Sequence, residues 1–173
     1  MNSSMLAELV PKVKLSKPVQ IGIVVDDLER ATKMLASLFG IGPFHFIEWP
    51  NRPESKYYYR GEEERIKIRQ AFAQVGAVEL ELVQPLEGER NAYWEFLHQQ
   101  GGGIHHVLFE VADMDAAIGA LAEEGVEVYQ CGTGIRPGTR WALLDTRSLV
   151  GFLVELRQVV PGCDGTSIPK QIS

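Results

Sequence analysis

The chain has 173 residues, enough for one domain of ordinary size or for two small modules sharing a core. Hydrophobic residues make up 45% and the formal charge is −6, which argues against disorder and against the basic stripe of a nucleic-acid binder but leaves small anionic ligands open. No apolar run approaches the roughly 18 residues that span a bilayer, and no basic-then-apolar leader opens the sequence. Cys131 and Cys163 lack a CxxC spacing, as two free thiols in a reducing compartment would, so the expected location is the cytoplasm.

Residues 1–18 show little periodicity and read as an arm, with a partner subunit as one place for it to pack. Gln20 to Val25 is short, apolar and β-branched, hence a strand. Asp27 then caps a helix from Leu28 to about Leu38, with Leu28, Ala31, Leu35 and Leu38 on one face. Gly40 and Pro43 end it. Phe44 to Trp49 is a second strand. The stretch from Pro50 to Glu64, with Tyr57-Tyr58-Tyr59, is irregular and reads as a loop or short-helix excursion, either beside a ligand or on the solvated surface. Ile66 to Gln74 and Ala77 to Val83 form two strands around a turn. The segment 87–103 is a polar connector with a helix around Ala92–Gln99.

The order then repeats: a strand from His106 to Val111, a helix capped by Asp113 and stopped by Gly125, a strand at Val126–Tyr129, a Gly132–Gly138 loop, and strands at Trp141–Leu144 and Gly151–Leu156. Gln20, Val25 and Asp27 match His106, Val111 and Asp113 at one offset of 86, and Glu81 to Gln84 match Glu155 to Gln158 at an offset of 74. The expected architecture is α+β: two βαβββ modules, 19–86 and 104–158, forming a cupped mixed sheet with helices on its outer face. Together they make one domain over 19–158, followed by a tail at 159–173.

Side chains alternate along a strand. The apolar set Ile21, Ile23 and Val25 belongs under a helix, which leaves Gln20 on the concave face. The same reasoning sends His105 to the apolar side and His106 into the cup. Glu81 and Glu155 sit in apolar strands, where an unpaired carboxylate is expensive to bury. A divalent cation would compensate them. Pseudo-twofold symmetry brings Gln20, Glu81, His106 and Glu155 to one centre.

Gln20-Ile-Gly-Ile-Val-Val-Asp-Asp-Leu, Val78-Glu-Leu-Glu-Leu-Val-Gln-Pro-Leu, Gly103-Ile-His-His-Val-Leu-Phe-Glu-Val and Gly151-Phe-Leu-Val-Glu-Leu resemble the vicinal oxygen chelate superfamily of glyoxalase I, methylmalonyl-CoA epimerase, extradiol dioxygenases and bleomycin-resistance proteins. The resemblance spans about residues 19 to 158, and Gly-Ile-His-His looks most like the epimerase branch. It implies one divalent ion (Zn, Co, Ni, Mn or Fe) bound by Gln20, Glu81, His106 and Glu155. It also implies proton transfer by Glu155 and Glu81, and a homodimer. Position 20 is commonly histidine in epimerases, and glutamine there resembles the eukaryotic glyoxalase I type. The epimerases' second carboxylate aligns near Gln70, which is no acid; Glu79 is a possible substitute. Trp49, Tyr58, Gln70 and Arg140 are candidate substrate contacts.

Three readings stay open: a metal-dependent epimerase or isomerase that stabilises an enolate, with an acyl-CoA thioester as one substrate class; a glyoxalase-like lyase acting on a thiol hemithioacetal; and a non-catalytic small-molecule binding protein. An extradiol dioxygenase would need a second histidine where Gln20 stands. A small-molecule ligand is expected, with no nucleic-acid or membrane partner.

Overall fold

The computed structural model describes residues 11–160; Cys163 and most of the tail lie outside them. Ten strands form one mixed sheet in the order β2-β5-β6-β1-β7-β10-β9-β8-β3-β4. The first module supplies β1 (Pro18–Val24), α1 (Leu28–Phe39), β2 (His45–Trp49), β5 (Lys67–Val75) and β6 (Val78–Glu87). Between its second and third strands lies a small hairpin, β3 (Tyr57–Tyr59) and β4 (Glu62–Glu63). A connector helix, α2 (Ala92–Gln100), leads to the second module: β7 (Gly103–Glu110), α3 (Met114–Ala122), β8 (Val128–Thr133), β9 (Thr139–Leu144), the short α4 (Arg147–Val150) and β10 (Leu153–Val159).

The strand pairing carries the duplication that the sequence spacing implies. In each module the first strand runs parallel to the last, β1 with β6 and β7 with β10. The modules meet where β1 pairs antiparallel with β7. That pairing is centred on Ile21 opposite Val107, with Gln20 opposite Leu108 on one side and Gly22 opposite His106 on the other. Equivalent residues of the two modules thus sit diagonally across a local twofold axis.

Helices α1 and α3 cover the outer face. Asp27 accepts a hydrogen bond from the Arg30 amide at 2.9 Å, and Asp113 from the Ala116 amide at 3.0 Å, so the two modules start their helices the same way. Under α1, Leu28, Ala71 and Leu82 pack with Ile23 and Val25; under α3, Met114, Ala117 and Ile118 pack with Ala142 and Leu156. The third apolar cluster lies on the concave side. There Tyr93 and Ala92 of α2 pack with Val24, Val83 and Leu153, so the connector helix fills one end of the cup rather than lying outside it.

The segment from Pro50 to Glu64 is neither an open loop nor a helix. It leaves the edge strand β2, crosses the cup and adds β3 to the free edge of β8, with Tyr57 opposite Gly132 and Tyr59 opposite Gln130. Gly132 is required there, because a Cβ would meet the Lys56 carbonyl at 2.6 Å. The described part of the N-terminal arm lies on its own chain: the Ser16 amide bonds the Glu110 carbonyl at 3.2 Å, and Lys12 pairs with Glu124 at 2.9 Å. Among the described residues no helix is long and apolar enough to cross a membrane.

Candidate active site

The concave face encloses a cavity of about 710 Å³. Its polar floor is a row of side chains from β1, β6 and β10, namely Gln20, Glu79, Glu81 and Glu155, with Gln70 of β5 beside them. The imidazole of His106 lies fully buried among them. Its Nε2 is 3.1 Å from Glu81 Oε2 and 3.0 Å from Glu155 Oε2. Three of the four residues singled out as a ligand set therefore meet at one atom.

His106 can reach Glu81 because Gly22 stands between them. In the sheet, Glu81 pairs with Gly22 and Gly22 with His106. A Cβ at Gly22 would lie 1.9 to 2.4 Å from the His106 ring, so the ring occupies the space a side chain would fill. A glycine inside an apolar strand is a known sign of close approach. It is the signal that could have located this contact in the sequence.

The fourth residue is placed differently. Gln20 is buried on the same floor, but its Nε2 donates to Glu79 Oε1 at 2.7 Å. Its route across β7 toward Glu155 passes Leu108, which is paired with both. Leu108 is buried and lines the cavity.

His105 departs from strict alternation. In the β1–β7 ladder Gly22 pairs with His106 and Ile23 with Ile104, so His105 is the extra residue of a β-bulge. The bulge turns both rings to the concave side. His105 packs on Tyr93 and Phe96, each at 5.0 Å between ring centres, and its Nδ1 is 3.0 Å from His106 Nδ1. Burial and the neighbouring His106 hold the His105 imidazole well below its ordinary value, so it is neutral. For His106, burial works against the charged form, but Glu155 and Glu81 outweigh it and its pKa is raised. A protonated His106 donates to Glu81 through Nε2 and to neutral His105 through Nδ1, with Glu155 as its ion-pair partner.

Glu155 is pushed up to about 7 by burial, with Glu81 adding repulsion and His106 opposing it. A buried carboxyl poised near neutrality is suited to taking up and returning a proton. Gln70 donates to Glu81 Oε1 at 2.5 Å and holds that carboxylate in place. The facing wall is aromatic. Trp49 and Tyr57 lie 5.7 Å apart, and Tyr57 and Trp141 lie 6.1 Å apart.

Strand phase and pairing place two expected substrate contacts away from the cavity floor. Tyr58 points to the outer face, where it packs near α3 and bonds Glu63; Tyr57, one residue away, lines the cavity instead. Arg140 reaches the cavity rim, but its guanidinium is held by Asp115 at 2.9 Å and Gln158 at 2.7 Å. It anchors α3 rather than presenting a free cation. Trp49 and Gln70 do line the cavity.

Among the described residues, no group of three or more histidine, cysteine, aspartate or glutamate side chains is arranged to hold a metal ion. His106 is closed on Glu81 by a hydrogen bond and on Glu155 by an ion-pair contact instead. Their donor chemistry, one imidazole nitrogen and two carboxylates with amide groups alongside, is nonetheless that of a divalent first-row ion. Gln70 Oε1 is a buried acceptor with no hydrogen-bond partner.

Residues 19–142 match the family model of the glyoxalase/bleomycin resistance protein/dioxygenase superfamily, and the chain belongs to that superfamily. Within it, the chain is related to methylmalonyl-CoA epimerases, which are enzymes. It is 26% identical over 157 residues to the mitochondrial methylmalonyl-CoA epimerase of Mus musculus, covering 90% of this chain and 80% of that one. It is 32% identical over 97 residues to the uncharacterized protein YqjC of Bacillus subtilis, covering 54% of this chain but only 66% of that protein's length. Among solved structures, a variant of the Streptomyces coelicolor methylmalonyl-CoA epimerase in complex with 2-nitronate-propionyl-CoA superposes with a TM-score of 0.61 at 26% identity, covering 84% of this chain and 98% of that one.

Proposed function

We propose that the protein is an acyl-CoA epimerase that inverts an acidic carbon next to a thioester carbonyl. The observation that carries this reading is the buried cluster of His106 with Glu81 and Glu155 on the floor of a cavity. The relatedness to methylmalonyl-CoA epimerases supports the substrate class. A nitronate, as bound by the Streptomyces protein, spreads a negative charge over two oxygens much as an enolate beside a carbonyl does.

Glu155 and Glu81 flank the same imidazole nitrogen, so one carboxylate removes the α-proton and the other returns one to the opposite face. Glu155, poised near neutrality, is the group that exchanges its proton most readily. Gln70 fixes Glu81, and His105 fixes the ring of His106. Trp49, Tyr57 and Trp141 hold the apolar part of the substrate and keep water from the floor. His106, Glu81 and Glu155 would bind a divalent ion, and Lewis-acid stabilisation of the developing oxyanion is the chemistry such an ion supplies when bound. Assembly as a homodimer belongs to the same reading.

The test is product analysis with two substrates. A single epimer of methylmalonyl-CoA should be converted to a mixture of both, whereas the hemithioacetal of methylglyoxal and glutathione should be left unchanged. Turnover of the hemithioacetal with an inert acyl-CoA would replace this reading by the lyase one.

A further inference from the structure

We propose that the hydroxyl of Tyr57 donates to an oxygen of a free carboxylate on the substrate, so that the cavity selects thioesters whose α-carbon also carries a carboxylate. The inference rests on the acyl-CoA reading given above. Tyr57 is delivered to the cavity by the excursion from the first module: β3 pairs with β8, setting Tyr57 opposite Gly132 and Tyr59 opposite Gln130. Its ring lies between Trp49 and Trp141, at 5.7 Å and 6.1 Å between ring centres. These neighbours fix the ring and with it the direction of the C–O bond. Tyr57 is 1% exposed, and its hydroxyl has no hydrogen-bond partner among the described residues. Burial holds its pKa well above the ordinary phenol value, so it stays a neutral donor. A buried hydroxyl without a partner is costly and calls for an explanation.

The neighbours of Tyr57 are donors as well. Gln130 is its diagonal neighbour across the β3–β8 ladder, on the same face. The Gln130 Oε1 accepts from the Ala92 amide at the start of α2, at 2.6 Å. Its Nε2 can only donate, and it too is buried without a partner. The indoles of Trp49 and Trp141 carry N–H groups alone, and that of Trp141 already donates to the Thr133 carbonyl at 2.9 Å. The two sides of the cavity therefore differ in kind. The floor presents the carboxylates of Glu79, Glu81 and Glu155, whereas the aromatic wall presents a donor that lacks an acceptor. A substrate that turns an acidic C–H toward the floor must keep its own carboxylate away from those charges, because like charges repel. The hydroxyl on the facing wall meets that carboxylate, and a hydrogen bond to an ionised acceptor is among the stronger kinds.

The experiment compares two achiral thioesters that differ by one carboxylate, malonyl-CoA and acetyl-CoA, binding to the full-length protein in isothermal titration calorimetry. In Tyr57→Phe, which removes the hydroxyl and keeps the ring, the malonyl-to-acetyl affinity ratio should fall by at least about tenfold from wild type. Tyr58→Phe, one residue along on the outer face, should keep the wild-type ratio. Far-UV circular dichroism of each variant, matched to wild type, shows that the fold is kept. A wild-type ratio in Tyr57→Phe overturns the proposal. That holds if both affinities fall together, as when the hydroxyl meets the thioester carbonyl, and if neither falls, as when it meets only water. A fall of the same size in Tyr58→Phe overturns it too. These outcomes leave the acyl-CoA reading intact. Failure of the wild-type protein to bind either thioester overturns the proposal and that reading together.

Discussion

The first strands of the two modules are equivalent in position and opposite in effect. Across the twofold axis Gln20 corresponds to His106, and Gly22 to Leu108. His106 lies over Gly22 and reaches a carboxylate of the other module. Gln20 faces Leu108, which blocks the matching move, and it turns back to Glu79 of its own module. The scaffold is duplicated, whereas the chemistry is not: one glycine and one leucine at equivalent places decide which first-strand side chain crosses the module boundary. Glu81 and Glu155, by contrast, are the same residue in both halves.

Leu108 is the larger side chain of the Gly22/Leu108 pair. Leu108 is buried, and Leu108→Ala should cost about 2–5 kcal/mol in urea unfolding. It should also open the path from Gln20 to Glu155, which a crystal structure of the variant would show as a moved amide. The titration of the floor is next in size. The folded-state pKa of Glu155 is raised from 4.5 to about 7, so between those values the folded protein keeps a proton that the unfolded chain has released. Stability of the metal-free protein should therefore fall as pH rises through that window, by at most about 3 kcal/mol. The raised His106 pKa acts in the same direction. The depressed His105 pKa acts oppositely, removing stability as pH falls below 6.5. Glu155→Gln should flatten the loss between 4.5 and 7, as read by denaturant melts across pH.

At the smaller member, Gly22→Ala places a Cβ within the His106 ring. It should cost about 1–3 kcal/mol and displace the imidazole from Glu81. Epimerisation should fall more than stability does, a split that a simple packing defect would not produce. The smallest effect tests where the modules are still alike. Asp27→Ala and Asp113→Ala each remove a helix cap of the same geometry, and each should cost about 1 kcal/mol in thermal melts.

Most of the scaffold was legible because it rests on local periodicity and on repetition. The offset linking Gln20 to His106 reappears as the symmetry of the β1–β7 ladder. The caps at Asp27 and Asp113 are local side-chain to backbone bonds, readable from spacing alone. What escaped depends on partners distant in sequence. The bulge at His105 is a property of pairing with β1 and cannot be seen in β7 alone. The hairpin at Tyr57–Glu63 exists because β8, some seventy residues on, offers a free edge. In a strand of three tyrosines, only that register decides that Tyr57 and Tyr59 face the cup while Tyr58 faces out. Arg140 looked available because Asp115 lies in another element, and alternation along β9 sets the two side by side.

Proton transfer by Glu155 is tested by α-proton exchange in D₂O, followed by NMR on one epimer of methylmalonyl-CoA with wild-type protein and with Glu155→Gln. Deuterium incorporation should accompany loss of stereochemical purity in the wild type. In the variant, both should be slower by about 10²–10⁴-fold while the fold is unchanged. Wild-type exchange that survives undiminished in Glu155→Gln, or no exchange in the wild type, would contradict proton transfer by Glu155.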